Sequence, residues 1–226
     1  MTTTKRTRLA PGKRRAQLIE LGLALLQEKP IEEISVEDIA AQAGVSKGLL
    51  FHYFGSKSEF QAALVQAISL QFLDATEPDY SQTPLRALET ALDSYISFVE
   101  QAPNLYISML RGALSSMPEM VASVEASRSG IADRILVLVA SLGIDDTIPL
   151  RVSIRGWIAL VEEAVIDWLT KREIERGELI ELLTGALIGV ILGPMLAREG
   201  TIAHLFPEFD RPLAETIAPG TEDRTG

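Results

Sequence analysis

The sequence contains no cysteine and only two histidines, His52 and His204, far apart along the chain. Without thiols there is no disulfide framework, no thiolate metal site and no cysteine nucleophile, and two separated imidazoles make no ligand cluster. No metal and no other cofactor is therefore expected. The motifs of common enzymes are missing as well: there is no phosphate-binding GxxxxGKS or GxxxxGKT, no GxSxG and no HExxH. Glu162, Glu163 and Asp167 follow the spacing of a helix surface and read as solvated or salt-bridged carboxylates, so the chain is not expected to be an enzyme. Long hydrophobic runs are also lacking. Met1 is not followed by an apolar export segment. The uncharged stretch from Leu182 to Ala197 is only 16 residues long, contains Pro194 and is bounded by Glu181 and Arg198. That is short for a membrane span and reads as a buried helix, which makes a cytoplasmic protein without a membrane partner the expectation.

Sustained alternation of apolar and polar residues, the mark of half-buried strands, is nearly absent too, whereas apolar residues recur at helical spacing from end to end. The fold class is expected to be all-α. With 226 residues, 47% of them hydrophobic, the chain can bury real cores. Its formal net charge of -10 would argue against a nucleic-acid partner if it were evenly spread, because affinity for phosphates comes from Lys and Arg. It is not evenly spread: of 21 basic and 31 acidic residues, nine and seven fall in positions 1–60, leaving twelve and twenty-four for the rest. Only the front end can face DNA. There Lys5, Arg6, Arg8, Lys13, Arg14 and Arg15 read either as a flexible basic arm or as a solubilising tail.

A first helix, roughly Gly12 to Gln27, carries Leu18, Leu21 and Leu25 on one stripe and should stop near Pro30. Ser35-Val36-Glu37-Asp38 opens a second, short helix: the hydroxyl can cap free amides and the acids favour the positive helix end. It closes at Gly44, a residue suited to the left-handed conformation. Only Gly44 and Val45 separate it from Ser46, which can cap a third helix, Lys47 to Phe54. Two short helices across a tight turn are a helix-turn-helix signature. Gly55 then breaks the chain, and Ser56-Lys57-Ser58-Glu59 is a capping box for a fourth helix to about Leu73. The run from Glu77 to Pro84 is the domain junction, and longer helices are expected at 84–101, 103–115, 118–142, 147–172 and 177–198. The expected organisation is thus an arm over 1–11, a helix-turn-helix domain with its connecting helix over 12–76, a larger helical domain over 77–205 and a tail over 206–226.

In the third helix Leu50 and Phe54, four apart, should face inward with Val45 beneath them, leaving Lys47, Leu49, Phe51, His52 and Tyr53 to project outward or flank the seam. A domain this small cannot bury every one of these aromatics, so some must meet a partner. The stretch SVEDIAAQAGVSKGLLFHYFGSKSEF, Ser35 to Phe60, resembles the DNA-binding signature of the TetR/AcrR repressors, and the likeness spans the first four helices, about a quarter of the chain. The resemblance implies double-stranded operator DNA as a partner, with Lys47 and Leu49 near base edges, Ser46, Tyr53 and Lys57 on phosphates, and Ser35 capping helix two beside the backbone. Gly48, Phe51 and His52 complete the expected DNA-facing set. Where members of that family commonly carry Thr and Tyr, this chain has Leu49 and Phe51, so contact with thymine methyls replaces hydroxyl contacts. His52 could equally cover the domain surface.

The helix over 147–172 is apolar almost all the way round, and the next one adds Gly185, Gly189 and Gly193, four apart on one face. Such helices must pack on their own core and on something further, either within the chain or on a second subunit. In the resembling family the last two long helices form a four-helix dimer interface, and Trp168 with these glycines is the expected contact in a homodimer. Ligand sites in helical proteins form between helices and are mostly apolar. The expected lining for a small, apolar effector is Tyr95, Phe98, Tyr106, Met109, Met117 and Trp157, with Arg155 and Glu162 as anchors or as a paired rim. The functional expectation is a ligand-responsive, dimeric repressor of transcription. The rival is a helical interaction or ligand-carrier module without specific DNA binding.

Overall fold

The computed structural model describes residues 10–26, 33–112, 115 and 117–198. The basic residues Lys5 to Arg8, the expected helix stop near Pro30 and the tail over 206–226 lie outside these. Among the described residues the chain forms nine helices: α1 (Pro11–Leu26), α2 (Val36–Gln42), α3 (Lys47–Phe54), α4 (Lys57–Ala75), α5 (Pro84–Glu100), α6 (Pro103–Arg111), α7 (Pro118–Ala140), α8 (Ile148–Lys171) and α9 (Arg176–Arg198). Most boundaries fall within a few residues of the sequence expectation. The clearest departure is α6, which ends at Arg111 rather than 115, because Gly112 turns to extended backbone (φ -90, ψ -166) and stops the helical ladder.

Local chemistry starts the short helices where the sequence says it should. At α2 the Ser35 hydroxyl accepts from the Asp38 N–H (3.0 Å) while the Asp38 carboxylate accepts from the Ser35 N–H (3.1 Å), a reciprocal cap that satisfies two orphan donors. Ser46 accepts from the Leu49 N–H (3.2 Å) and Ser56 from the Glu59 N–H (3.1 Å), the latter being one arm of the box expected there. Gly44 and Gly55 sit at φ +60 and +66, a backbone state that a side chain would strain, and this fixes the turns on either side of α3.

Two hydrophobic cores result. The smaller gathers Leu18, Leu25, Ile39, Leu50, Phe54, Phe60 and Leu64 from α1 to α4. Gly22 lets α1 lie directly on α4: a Cβ built there would come within 2.6 Å of a Leu64 methyl and 2.8 Å of the Phe60 ring edge. The larger joins α5, α7, α8 and α9 around Leu92, Ile96, Val139, Ile154, Trp157, Val165 and Leu183. Inside it the Trp157 indole N–H donates to the Leu183 carbonyl (2.8 Å), so a polar edge is buried with its partner. The cores are not independent. Met120 of α7 is buried in the smaller one, and Leu105, Met109 and Met117 pack against it, so the α6–α7 corner is seated in the head formed by α1 to α4.

Candidate nucleic-acid interface and effector cavity

α3 turns Leu50 and Phe54 into the head core, as its spacing requires, and this fixes what faces out. Ser46, Lys47, Gly48, Leu49, His52 and Lys57 are exposed, while Ser35, Phe51 and Tyr53 are half-buried. All nine expected DNA-facing residues thus keep surface, and they lie on α3 or at the starts of α2 and α4. Phe51 and Tyr53 also pack on the head core, and Tyr53 meets His52 edge-on with ring centroids 5.5 Å apart. The aromatics of α3 are therefore shared between core and surface. Ser46 uses its oxygen as an acceptor for the cap, which leaves its O–H to donate outward.

Lys47 is held in place by a residue that the sequence reading placed only at a helix start. Its ammonium forms an ion pair with Glu37 across the turn and lies 5.9 Å from the Phe51 ring centroid. The Lys47 hydrogen bond keeps the Glu37 carboxyl below its ordinary pKa. Both side chains are more than half exposed, so the pair orders Lys47 more than it stabilises the fold. The signal was present in the opposite charges of α2 and α3, but only the turn geometry brings positions ten apart together.

The second candidate site is a cavity partly open to solvent and walled by α4 to α8, with about 1180 Å³ of empty space when the solvent at its mouth is included. Tyr95, Phe98, Tyr106, Met109, Trp157 and Glu162 line it as expected, and Met117 and Arg155 do not. Met117 precedes α7 and packs on the head core instead. Arg155 lies on the same face of α8 as Glu162, seven positions away, but pairs with Glu125 of α7, so it meets Glu162 only through the chain of ion pairs that runs by Glu125 and Arg128. The partner of Glu162 is Arg128, which the sequence did not single out: a forked pair with Nε at 2.9 Å and Nη2 at 2.7 Å from the two carboxylate oxygens. That hydrogen bonding holds the guanidinium above its ordinary pKa. Phe72, also missed, projects from α4 edge-on to both Tyr95 and Phe98, each with centroids 5.5 Å away. The Tyr95 and Tyr106 hydroxyls are hydrogen-bonded to each other. Burial pushes both phenols above their usual range, with the neighbouring tyrosine adding to the shift at Tyr95. Ile68, Leu105 and Met109 line the cavity and at the same time pack on the head core.

On α8 and α9 the expected dimer contacts divide. Trp168 is buried within the chain: its indole N–H donates to the Ile174 carbonyl (2.8 Å) and the Arg172 guanidinium covers its ring at 3.7 Å. That side chain is core, not contact surface, because the α8–α9 turn folds back over it. Gly185, Gly189 and Gly193 have no atom within 4 Å of an added Cβ, and Leu182, Ile188 and Leu192 are exposed beside them. Among the described residues no helix is long and apolar enough to cross a membrane, and no group of three or more His, Asp or Glu could hold a metal ion.

Residues 18–64 match the family described as bacterial regulatory proteins, tetR family, and residues 84–189 match a tetracyclin repressor-like C-terminal domain. The chain is 32% identical over 115 residues to the HTH-type transcriptional regulator BetI of Proteus mirabilis, covering 41% of this chain and 57% of BetI. It is 22% identical over 177 residues to the HTH-type transcriptional activator FasR of Mycolicibacterium smegmatis, covering 77% of this chain and 81% of FasR. Its fold superimposes on a tetR-family transcriptional regulator from Streptomyces coelicolor with a TM-score of 0.73 at 24% identity, covering 92% of this chain and 96% of that one. The head matches the first family region, the cavity-bearing half matches the second, and the chain belongs to the TetR family of transcriptional regulators.

Proposed function

We propose that the chain represses transcription as a two-fold dimer that binds a near-palindromic operator through α3 and releases it when a small, apolar effector occupies the cavity. The observation that carries this reading is that the cavity and the head share a wall. Ile68 on α4, with Leu105 and Met109 on α6, touches the effector space on one side and the core beneath the recognition helix on the other. An effector that displaces this wall moves the head. Binding energy is converted into release only if the effector prefers subunits whose heads are misplaced, since equal affinity for both states shifts nothing.

In this reading Lys47 and Leu49 approach base edges, Ser46, Tyr53 and Lys57 hold phosphates, Ser35 fixes α2 beside the backbone, and Gly48, Phe51 and His52 complete the surface. Pairing through the open glycine face of α9 and the adjoining face of α8 sets two recognition helices about 34 Å apart, one turn of duplex. Gly156, Ala159 and Leu160, exposed along α8, are consistent with such a seam. Dimerisation also doubles a small basic footprint. The protein acts in the cytoplasm, where its DNA partner is, and it acts as a regulator rather than as a catalyst.

The test is a gel-shift with the DNA flanking the protein's own gene. Lys47→Ala and Tyr53→Ala should each weaken the specific complex by at least about tenfold per head, the worth of a lost base or phosphate contact, while native mass spectrometry still finds the dimer. Wild-type affinity in both variants would remove the site assignment. The absence of a specific complex with any such fragment would favour a helical interaction or carrier module instead.

A further inference from the structure

The charges of the cavity are already matched. Its titratable lining consists of Tyr95, Tyr106, Arg128, Arg134 and Glu162. Arg128 is forked onto Glu162, with Glu125 a further 3.7 Å away, and Arg134 donates to the Thr76 hydroxyl (3.2 Å) and pairs with Glu77. An anionic ligand that took the Nε and Nη2 donors of Arg128 would displace Glu162 and leave that carboxylate, only 18% exposed, against an apolar wall without its counter-charge, while the remaining Nη1 already faces Glu125 at 3.7 Å. Breaking a shielded pair is far costlier than never engaging it. A cationic ligand meets the converse obstacle, because Glu162 is the only acid on the lining among the described residues and both its oxygens are taken.

The tyrosine pair supplies what the ion pairs do not. When two hydroxyls bond to each other, one proton is used between them and one is left over. Tyr95 and Tyr106 are paired in this way on the cavity wall, where Phe72 and Phe98 offer no acceptor. The spare O–H is a buried donor in an apolar space, and such a donor is costly to leave unmatched. A phenol keeps its proton at neutral pH even without any shift, and burial moves both further in that direction, so the donor persists.

Resting on the reading of this cavity as the effector site, we infer that the effector is an uncharged, mainly apolar molecule with one hydrogen-bond-accepting oxygen, such as a long-chain alcohol, ketone or ester, held at the Tyr95–Tyr106 pair. Its hydrocarbon part lies against Phe72, Leu92 and Val161, and the Arg128–Glu162 pair closes the polar side without opening.

Three probes of one chain length decide it at neutral pH with the full chain: 1-dodecanol, dodecanoate and dodecyltrimethylammonium, followed by calorimetry. The alcohol should bind roughly tenfold or more tightly than either ion, the margin expected when a charged ligand must unpair a shielded partner. The double variant Tyr95→Phe/Tyr106→Phe, which removes both phenol donors, should weaken the alcohol about tenfold, as loss of one buried hydrogen bond does. Glu162→Gln keeps the side-chain shape but removes the counter-charge of Arg128, and should shift the preference toward dodecanoate by at least about tenfold. Ala91→Trp, which fills the cavity, should abolish binding of every probe. If dodecanoate binds the wild type as tightly as the alcohol and Ala91→Trp abolishes both, the charge inference fails and the cavity reading survives. If no probe binds, or if Ala91→Trp leaves binding unchanged, the cavity reading fails and takes this inference with it.

Discussion

The head and the cavity-bearing half use their polar residues in opposite directions. In the head the functional candidates from Ser35 to Lys57 span 23 consecutive positions and keep surface, while the core behind them is almost purely apolar. In the other half the distinctive polar groups turn inward and find partners far along the chain, as Arg128 does with Glu162 at a separation of 34 positions. A surface that must meet a long, charged duplex can be built from one local motif, because its partner supplies the other half of every contact. A cavity for a small molecule must supply its whole environment, and so it draws on α4 to α8 at once. The two designs should fail differently when altered.

Leu50→Ala should produce the largest effect. Leu50 is fully buried beneath the outward face of α3, and leucine truncation in a packed core costs about 2–5 kcal/mol. The loss should fall on the head, whose core is mostly its own, while the core around Ile154 and Val165 persists. Hydrogen exchange should show amides of α1 to α4 losing protection before those of α8. A uniform loss across both halves would mean that Met120 and the α6–α7 corner weld the two cores into one cooperative unit.

A subtler break concerns Glu37, the acid that pairs with Lys47. While that ammonium is neutralised by a neighbour it releases fewer phosphate counterions, so Glu37→Gln should steepen the salt dependence of binding to a random-sequence 30-base-pair duplex. The slope of log affinity against log salt should grow by about one per head. Stability should hardly change, given how exposed the pair is. An unchanged slope would mean that Glu37 swings clear of Lys47 when DNA arrives, so that the pair belongs to the free protein only.

What the sequence disclosed follows the same division. Ser35, Gly44, Ser46, Leu50, Phe54 and Gly55 could all be assigned in advance, because caps, left-handed turns and four-residue spacing are local and act through the backbone. The cavity was legible only as a composition: Tyr95, Phe98, Tyr106 and Trp157 were expected because ligand sites in helical proteins form between helices and are mostly apolar. Arg128 and Phe72 were not, since nothing on α7 or α4 alone says which charge or ring lies opposite. Met117 and Arg155 failed for the same reason: each has a plausible spacing, but Met117, just before α7, packs on the head core, and Arg155, on the same seam as Glu162, is taken by Glu125 of α7 outside the cavity lining. Trp168 was assigned to the subunit interface on hydrophobicity, a property that cannot distinguish packing on a partner from packing under Arg172 of the same chain.

The polar accounting of the two cores leaves one difference that a single methyl group can probe. Gln61, the buried polar residue of the head, has an interaction partner, whereas the Thr184 hydroxyl on α9 is buried with none, beside Leu183, whose carbonyl serves Trp157. Replacing an unmatched hydroxyl by a methyl of the same shape removes a desolvation cost and leaves packing intact. Thr184→Val should therefore raise stability by about 1 kcal/mol, seen as a higher midpoint in urea with an unchanged slope. A fall in stability would show that the hydroxyl is satisfied in solution. Since α9 carries the open glycine face, concentration-dependent unfolding of the variant would then tell whether that satisfaction comes with dimer formation.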